Sequence, residues 1–196
     1  MVAKFVDMLI SYGMLDAPCR EQYIYALTLS MEQMITYSIL ILIALFFQKV
    51  LLGMVYAISF VMLRRASGGF HARTFAGCLM GTSLLFVFVI EVFVPFLGDH
   101  MAVEILLLLC SAICVIIFAP LNHPNLALNL EEEKNHRKWS RLILGVELTF
   151  VFIGMLLGKS WQQYIIAGII TCAVFIIIAK IIGQEVRDDE KRHQER

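Results

Sequence analysis

Long runs of apolar residues constrain this chain more than any other feature. The hydrocarbon core of a bilayer is about 30 Å thick, and a helix needs about 20 residues to cross it. Each run of that length therefore predicts one membrane-spanning helix. Four runs meet or approach the length: Phe75–Phe96, Met101–Ala119, Leu142–Leu157 and Tyr164–Ile182.

Two shorter apolar runs precede these four, at Met34–Phe47 and Val50–Leu63. The first can be extended back to Tyr23, because apolar residues keep helical spacing across that stretch. The second has 14 residues and could be a tilted or partly re-entrant segment. We therefore predict an all-α, polytopic membrane protein with about six transmembrane helices in a single domain, residues 1–182.

The composition agrees with this class of protein. Hydrophobic residues make up 60% of the 196 residues and charged residues 16%, whereas soluble domains are about half apolar and about a quarter charged. The five cysteines are an odd number, which argues against a secreted disulfide framework. We expect the lipid bilayer, and no nucleic acid, as a partner.

The basic residues predict the orientation of the chain, because cytoplasmic connections are enriched in Lys and Arg. Of the 16 basic residues, 14 fall in the N-terminal segment, the connections at 64–74 and 120–141, and the C-terminal end. The alternate connections hold only Lys49 and Lys159. We therefore expect a multi-pass protein of the cell membrane, with both termini and the 64–74 connection in the cytoplasm.

The two ends of the chain are less apolar than its centre. Residues 183–196 predict a charged, disordered cytoplasmic tail. Residues 1–22 predict an amphipathic segment lying at the membrane surface, although an ordinary first membrane contact would give the same pattern. The apolar stripe of that segment consists of Val2, Phe5, Val6, Leu9 and Ile10.

The polar connection LRRASGGFHARTFAGCL, residues 63–79, holds two residues suited to catalysis, His71 and Cys78. A cysteine attacks as its thiolate, and a nearby histidine can accept and return the proton. Cys78 would lie in the first turn of a new helix, where unpaired N–H groups favour an anion. Positive potential would come from the three arginines of the connection: Arg64, Arg65 and Arg73.

The spacing of His71 and Cys78 limits how they can meet. Seven residues of continuous helix span about 10.5 Å, which is too far for a direct contact. Paired glycines, Gly68 and Gly69, allow the backbone to leave the helix. His71 would then fold back over the new helix start, or would reach the cysteine of a second subunit. In the simpler interpretation, the cysteine is a small apolar residue and the histidine a solvated one.

Two segments carry a resemblance to a known family. The motif residues Arg64, Gly68, Gly69, His71, Arg73 and Cys78 resemble the signature of the accessory gene regulator B (AgrB) family. The segment FAPLNHPNLALNLEEEKNHRKWSR, residues 118–141, is similar to a second stretch of that family. The chain length and the six predicted crossings also fit.

The resemblance implies a membrane-embedded cysteine endopeptidase of a Gram-positive quorum-sensing system, which cuts the C-terminal segment from an AgrD-like propeptide. It implies that Cys78 is the nucleophile and His71 the general base and acid. Arg64, Arg65, Arg73, Gly68 and Gly69 would support the substrate or the loop. The resemblance further implies a homodimer. We expect no cofactor and no metal.

The expected reaction passes through a thioester on Cys78. An internal cysteine of the propeptide would attack that thioester and close a thiolactone ring, and an internal serine would close a lactone instead. Such a site at the membrane edge can keep water away from the thioester. The sequence leaves the choice of ring chemistry open.

A third, orienting residue is not fixed by the sequence. Asn122 stands where many relatives would have an acid. We consider Glu147, Glu32, Gln33 and Asn122 as candidates. An acidic part of the propeptide could dock on Lys134, Arg137 and Lys138, although the same charged run is typical of an ordinary solvated helix face. Cys110 and Cys114 lie four residues apart. A metal site there would need further ligands, and none is evident in the sequence.

Two other functions fit a chain of this composition: a transporter or channel, and a non-catalytic membrane sensor or scaffold. No inverted repeat or pair of broken helices, as found in many transporters, is present in the sequence. An exposed thiol beside arginines and a histidine would be a liability in a scaffold. The peptidase is therefore the favoured prediction.

Overall fold

A computed structural model describes residues 2–69, 74–121 and 130–183, and the described residues are largely helical. A short surface helix, α1 (Val2–Ser11), precedes α2 (Arg20–Phe46) and α3 (Val50–Ser67). The next span consists of α4 (Phe75–Phe88), a π-helical turn (Val89–Phe93) and α5 (Val94–Asp99). The remaining helices are α6 (Met101–Phe118), α7 (Leu130–Leu156) and α8 (Trp161–Ile182).

Six of these helical segments are long and apolar enough to cross a membrane. The prediction of an all-α protein with about six crossings is therefore confirmed. The shortest predicted run forms α3, a continuous helix of 18 residues rather than a re-entrant segment. It is longer than its apolar run because it continues through Arg64 and Arg65 to Ser67.

Helix α7 begins earlier than its apolar run indicates. The apolar runs place residues 130–141 in a connection, but these residues form the first three turns of α7, ahead of Leu142. Acidic residues Glu131–Glu133 occupy the first turn, where they interact favourably with the positive end of the helix dipole. Arg137 pairs with Glu133 one turn earlier, at 3.2 Å. Helix α7 therefore extends from the apolar layer into water.

Helix α8 forms the centre of the bundle. Twelve of its 22 residues are buried, and it packs against α3, α6 and α7. The approach to α3 is close at Gly168, where an added Cβ would lie 2.5 Å from Oγ of Ser59. Small residues let transmembrane helices approach in this way. The middle of α3 is consequently held close to α8.

The N-terminal helix is present, but it ends at Ser11 and a separate helix starts at Arg20. Its Val6 is fully buried, so part of the predicted apolar stripe contacts protein. Arg20 Nε lies 2.7 Å from a carboxylate oxygen of Asp7, which joins α1 to the start of α2. The lipid contact of α1 stays a prediction.

A π-helical turn interrupts the third span near its C-terminal end. Pro95, at the start of α5, has no backbone N–H to donate to the carbonyl one turn earlier. Lys49 Nζ donates to the carbonyl oxygen of Ile90 at 3.2 Å and lies 3.0 Å from the carboxylate of Glu91. The loop between α2 and α3 is thereby attached to this irregular turn.

Candidate active site

The glycine pair ends α3, as the sequence predicts. Gly68 adopts φ +70° and Gly69 φ +124°, a region of backbone conformation that residues with a Cβ rarely enter. The N–H of Gly68 donates to the carbonyl oxygen of Arg64 at 3.0 Å, and the helix stops there. Because α4 starts only at Phe75, no continuous helix links the glycines to Cys78.

The side chain of Arg64 folds back over the end of its own helix. Its Nη1 donates to the carbonyl oxygen of Gly68 at 2.9 Å, and its guanidinium lies 4.9 Å from the centre of the Phe175 ring on α8. A Cβ added at Gly69 would collide with Nη1 of Arg64. Glycine at this position therefore makes room for the arginine as well as for the turn.

Ser67 connects the end of α3 to two other parts of the chain. Its Oγ lies 3.0 Å from Sγ of Cys172 on α8, and its carbonyl oxygen accepts a hydrogen bond from the N–H of Leu121 at 2.8 Å. A Cβ at Gly68 would lie 2.5 Å from the carbonyl oxygen of Leu121. The start of the 118–141 segment thus touches the glycine pair.

Cys78 lies in the first turn of α4, as predicted, with its side chain exposed. Thr74 caps this helix: its side-chain oxygen accepts from the N–H of Gly77 at 3.2 Å. The N–H groups of Phe75 and Ala76 also belong to the first turn, where backbone donors lack helical partners. The thiol therefore lies at the end of the helix where the helix dipole is positive.

Three predicted site residues, His71, Arg73 and Asn122, lie outside the described residues. The contact between His71 and Cys78, within one chain or between two, therefore stays a prediction. The structure brings together Arg64, Gly68 and Gly69. It also adds Ser67, Leu121, Cys172 and Phe175, which the sequence does not indicate as parts of the site.

Arg65 points away from Arg64 and towards α2. Its Nη2 donates to Oε1 of Gln33 at 3.2 Å. Gln33 therefore contacts the motif through Arg65, whereas Glu32 beside it is only partly buried on α2. The orienting role of both residues towards His71 stays a prediction.

Glu147 is buried in the middle of α7, at 7% exposure. Its carboxylate lies beside Ser59 of α3, and Ser59 is two helical turns, about 12 Å, from Ser67. This places Glu147 deeper in the bundle than the described end of the motif. The role of Glu147 in orienting His71 stays a prediction, because His71 lies outside the described residues.

The three basic residues considered for docking lie on the hydrophilic part of α7. Lys134, Arg137 and Lys138 are exposed, and Arg137 shares its charge with Glu133 through their ion pair. They therefore lie on the helical extension that precedes the membrane-spanning part of α7. This arrangement fits both an ordinary solvated face and a docking surface.

Comparison with known proteins found a family match. A sequence model described as "Accessory gene regulator B" matches residues 2–183. That range includes every described residue and both segments that carry the resemblance. Comparisons with curated proteins and with solved structures found no match. The chain therefore belongs to the accessory gene regulator B family, and membership links it to the processing of a quorum-sensing propeptide.

Proposed function

We propose that this protein is a membrane-embedded cysteine endopeptidase that cleaves an AgrD-like propeptide and promotes its cyclisation. The observation that carries the proposal is the exposed thiol of Cys78 in the first turn of α4. Earlier in the chain, the end of α3 is held in a non-helical turn by Arg64 and the glycine pair. A reactive cysteine is expected at an accessible helix N-terminus of this kind.

The reaction starts when Sγ of Cys78 attacks the scissile carbonyl of the propeptide. His71 accepts the thiol proton and returns it to the leaving amine, which departs with the C-terminal segment. The propeptide remains attached as a thioester. The thiol of an internal propeptide cysteine then attacks that thioester, forms the thiolactone and leaves Cys78 as a free thiol. One thioester replaces another, so little bond energy is lost if water is kept out.

The segment 183–196 is proposed as a cytoplasmic tail outside a single peptidase domain of residues 1–182. The proposed orientation, with both termini and the motif in the cytoplasm, follows from the 14 to 2 distribution of basic residues. It would place Cys78 and the docking residues on the same side as a newly made propeptide. The proposed homodimer rests on the family and offers a second way for His71 to reach Cys78.

The decisive experiment combines purified protein in liposomes with a synthetic AgrD-like propeptide. We expect Cys78→Ala and His71→Ala each to reduce release of the C-terminal fragment by about 10³-fold or more, because each removes one member of a unit that acts together. Cys110→Ala is the matched control, since Cys110 is also exposed but lies on α6. The covalent intermediate trapped on the wild-type protein should be cleaved by hydroxylamine, because the proposed intermediate is a thioester.

Full cleavage by Cys78→Ala would refute the proposal. A mixture of the two inactive variants distinguishes the two geometries. Recovery of cleavage in mixed liposomes means that His71 of one subunit serves Cys78 of another, and no recovery means that both act within one chain.

A further inference from the structure

An apolar groove of about 320 Å³ runs along the lipid-facing side of α3. Helix α3 forms its floor from Gly53 through Ala57 and Val61 to Arg65, and α2 forms one wall through Leu40 and Ala44. Residues at its rim are half-exposed, including Ile58 at 53%. The groove therefore opens sideways into the apolar layer.

The dimensions of the groove match one leaflet of a bilayer. Gly53 and Arg65 are 12 residues apart, which corresponds to about 18 Å along a helix. Half of the hydrocarbon core is about 15 Å thick. Arg65 is the one charged residue among those that line the groove in the described part of the chain. It lies in the last turn of α3, at the end predicted to face the cytoplasm.

A second cavity adjoins the groove at this end. It shares Met62 and Arg65 with the groove and adds His136 and Trp139 from α7. Trp139 is 59% exposed, and tryptophan is enriched at the depth of lipid headgroups. Within the described ranges, Arg65 hydrogen-bonds an amide oxygen, that of Gln33. A guanidinium has five N–H donors, so this contact leaves donors for an anionic group.

We propose that the groove binds an anionic phospholipid of the cytoplasmic leaflet, with one acyl chain along α3 and its phosphate at Arg65. His136 and Trp139 would flank the headgroup. The apolar floor complements the chain, and the single cation complements a single phosphate charge. A zwitterionic lipid such as phosphatidylcholine would place its own ammonium group close to the guanidinium of Arg65, which would oppose binding. Basic pockets between helices on the cytoplasmic side are suited to such headgroups.

The test is a lipid titration of the full-length protein in detergent, with bound lipid counted by native mass spectrometry. Phosphatidylglycerol and phosphatidylcholine with identical acyl chains are the two probes. We expect one phosphatidylglycerol to be retained about fivefold more tightly than phosphatidylcholine, the effect typical of one basic residue near an anionic surface. Arg65→Gln should remove this preference. Arg141→Gln, which removes another exposed cation near the same end of the bundle, should leave it unchanged.

A second pair of variants tests the acyl chain. Ala57→Trp should fill the groove and abolish retention, whereas Ala102→Trp on the exposed side of α6 should not. Ile58→Trp at the rim offers a milder obstruction if Ala57→Trp does not insert. Equal losses from Arg65→Gln and Arg141→Gln would mean general surface attraction and overturn the proposal. Undiminished retention by both groove variants would also overturn it, as would a groove that takes up a propeptide segment but retains no lipid.

Discussion

At the scale of single residues, Arg64 stabilises the glycine turn that ends α3. Its guanidinium donates to Gly68 and lies over Phe175 at the same time. A lysine in its place would keep the charge but would lack the planar fork that serves both contacts. One side chain thus closes the glycine turn and ties it to α8.

The contact between Ser67 and Cys172 offers a quantitative test of this anchoring. The two side-chain atoms are 3.0 Å apart and both residues are fully buried. In a double-mutant cycle of Ser67→Ala and Cys172→Ala, we expect a coupling free energy of about 1 kcal/mol, the size found for polar contacts between transmembrane helices. The free energy of unfolding would be measured by titration with a denaturing detergent.

Cys172→Ser should retain most of this coupling, because the hydroxyl can replace the thiol as a hydrogen-bond partner. Cys110→Ala, on an exposed position of α6, should show no coupling with Ser67→Ala. Additive losses for Ser67 and Cys172 would contradict the anchoring role.

Part of the site can be predicted from the sequence, because the residues that form that part are neighbours along the chain. The glycine pair, the arginines and the cysteine are neighbours along the chain, so their break and helix start can be inferred from residue types. Ser67 and Cys172 are 105 residues apart, and their contact depends on how α3 packs on α8. No periodic pattern in either helix specifies that partner. The meeting of His71 with Cys78 stays a prediction.

At the scale of elements, α7 shows what apolar runs do and do not indicate. Apolar runs indicate which part of a helix can lie in the hydrocarbon core of a bilayer. Six crossings can therefore be predicted from them. The water-exposed extension of α7 depends instead on acidic residues in its first turn and on pairs such as Glu133–Arg137. Hydropathy carries no information about those contacts, so the apolar run alone predicts a start of α7 that is too late.

The exposed basic face of α7 leads to a prediction about substrate binding. We expect the triple change Lys134→Glu, Arg137→Glu, Lys138→Glu to raise KM for an acidic-tailed propeptide about tenfold or more with little change in kcat, because docking would precede the chemistry. The effect should weaken with added salt. Cleavage kinetics in liposomes would measure both constants.

Lys159→Glu is the matched control, since Lys159 is exposed in the connection that follows the opposite end of α7. It should leave KM unchanged. An unaltered KM in the triple variant would mean that the charged run is a solvated face without a role in docking.

The attachment of α1 to α2 leads to a prediction about pH. The hydrogen bond from the Arg20 guanidinium holds the pKa of Asp7 below its ordinary value of 3.8. Because the pKa of Asp7 is lower when α1 is docked on α2, the ion pair stabilises docking at pH values above 3.8. This stabilisation is lost as the pH falls below 3.8 and through the lowered pKa. Amide exchange of residues 2–11, corrected for its intrinsic pH dependence, should therefore show constant protection from pH 7 to pH 5 and a loss below about 3.8.

Asp7→Asn should weaken protection of α1 at neutral pH and make it independent of pH across this range. The ion pair is exposed at the surface, so the change should be small and confined to α1. Equal protection in the variant and the wild type would show that Val6 and its neighbours alone hold the helix.

At the scale of the whole molecule, the arrangement of charge and the placement of the thiol lead to one prediction about sidedness. The 14 to 2 distribution of basic residues predicts that the motif faces the cytoplasm. Cys78 is exposed, whereas Cys114 and Cys172 are buried, so only Cys19 and Cys110 need replacement by alanine. A membrane-impermeant maleimide should then label Cys78 in inside-out vesicles and not in right-side-out vesicles.

The mirror-image control places a cysteine at the other surface. Lys159→Cys, added to a Cys78→Ala background that also lacks Cys19 and Cys110, should be labelled only in right-side-out vesicles. Labelling of Cys78 from outside would place the proposed nucleophile away from a newly made cytoplasmic propeptide. It would also reverse the leaflet in which Arg65 could meet a phospholipid. Sidedness therefore connects the peptidase, the docking face and the lipid groove, because all three require the same end of the bundle to face the cytoplasm.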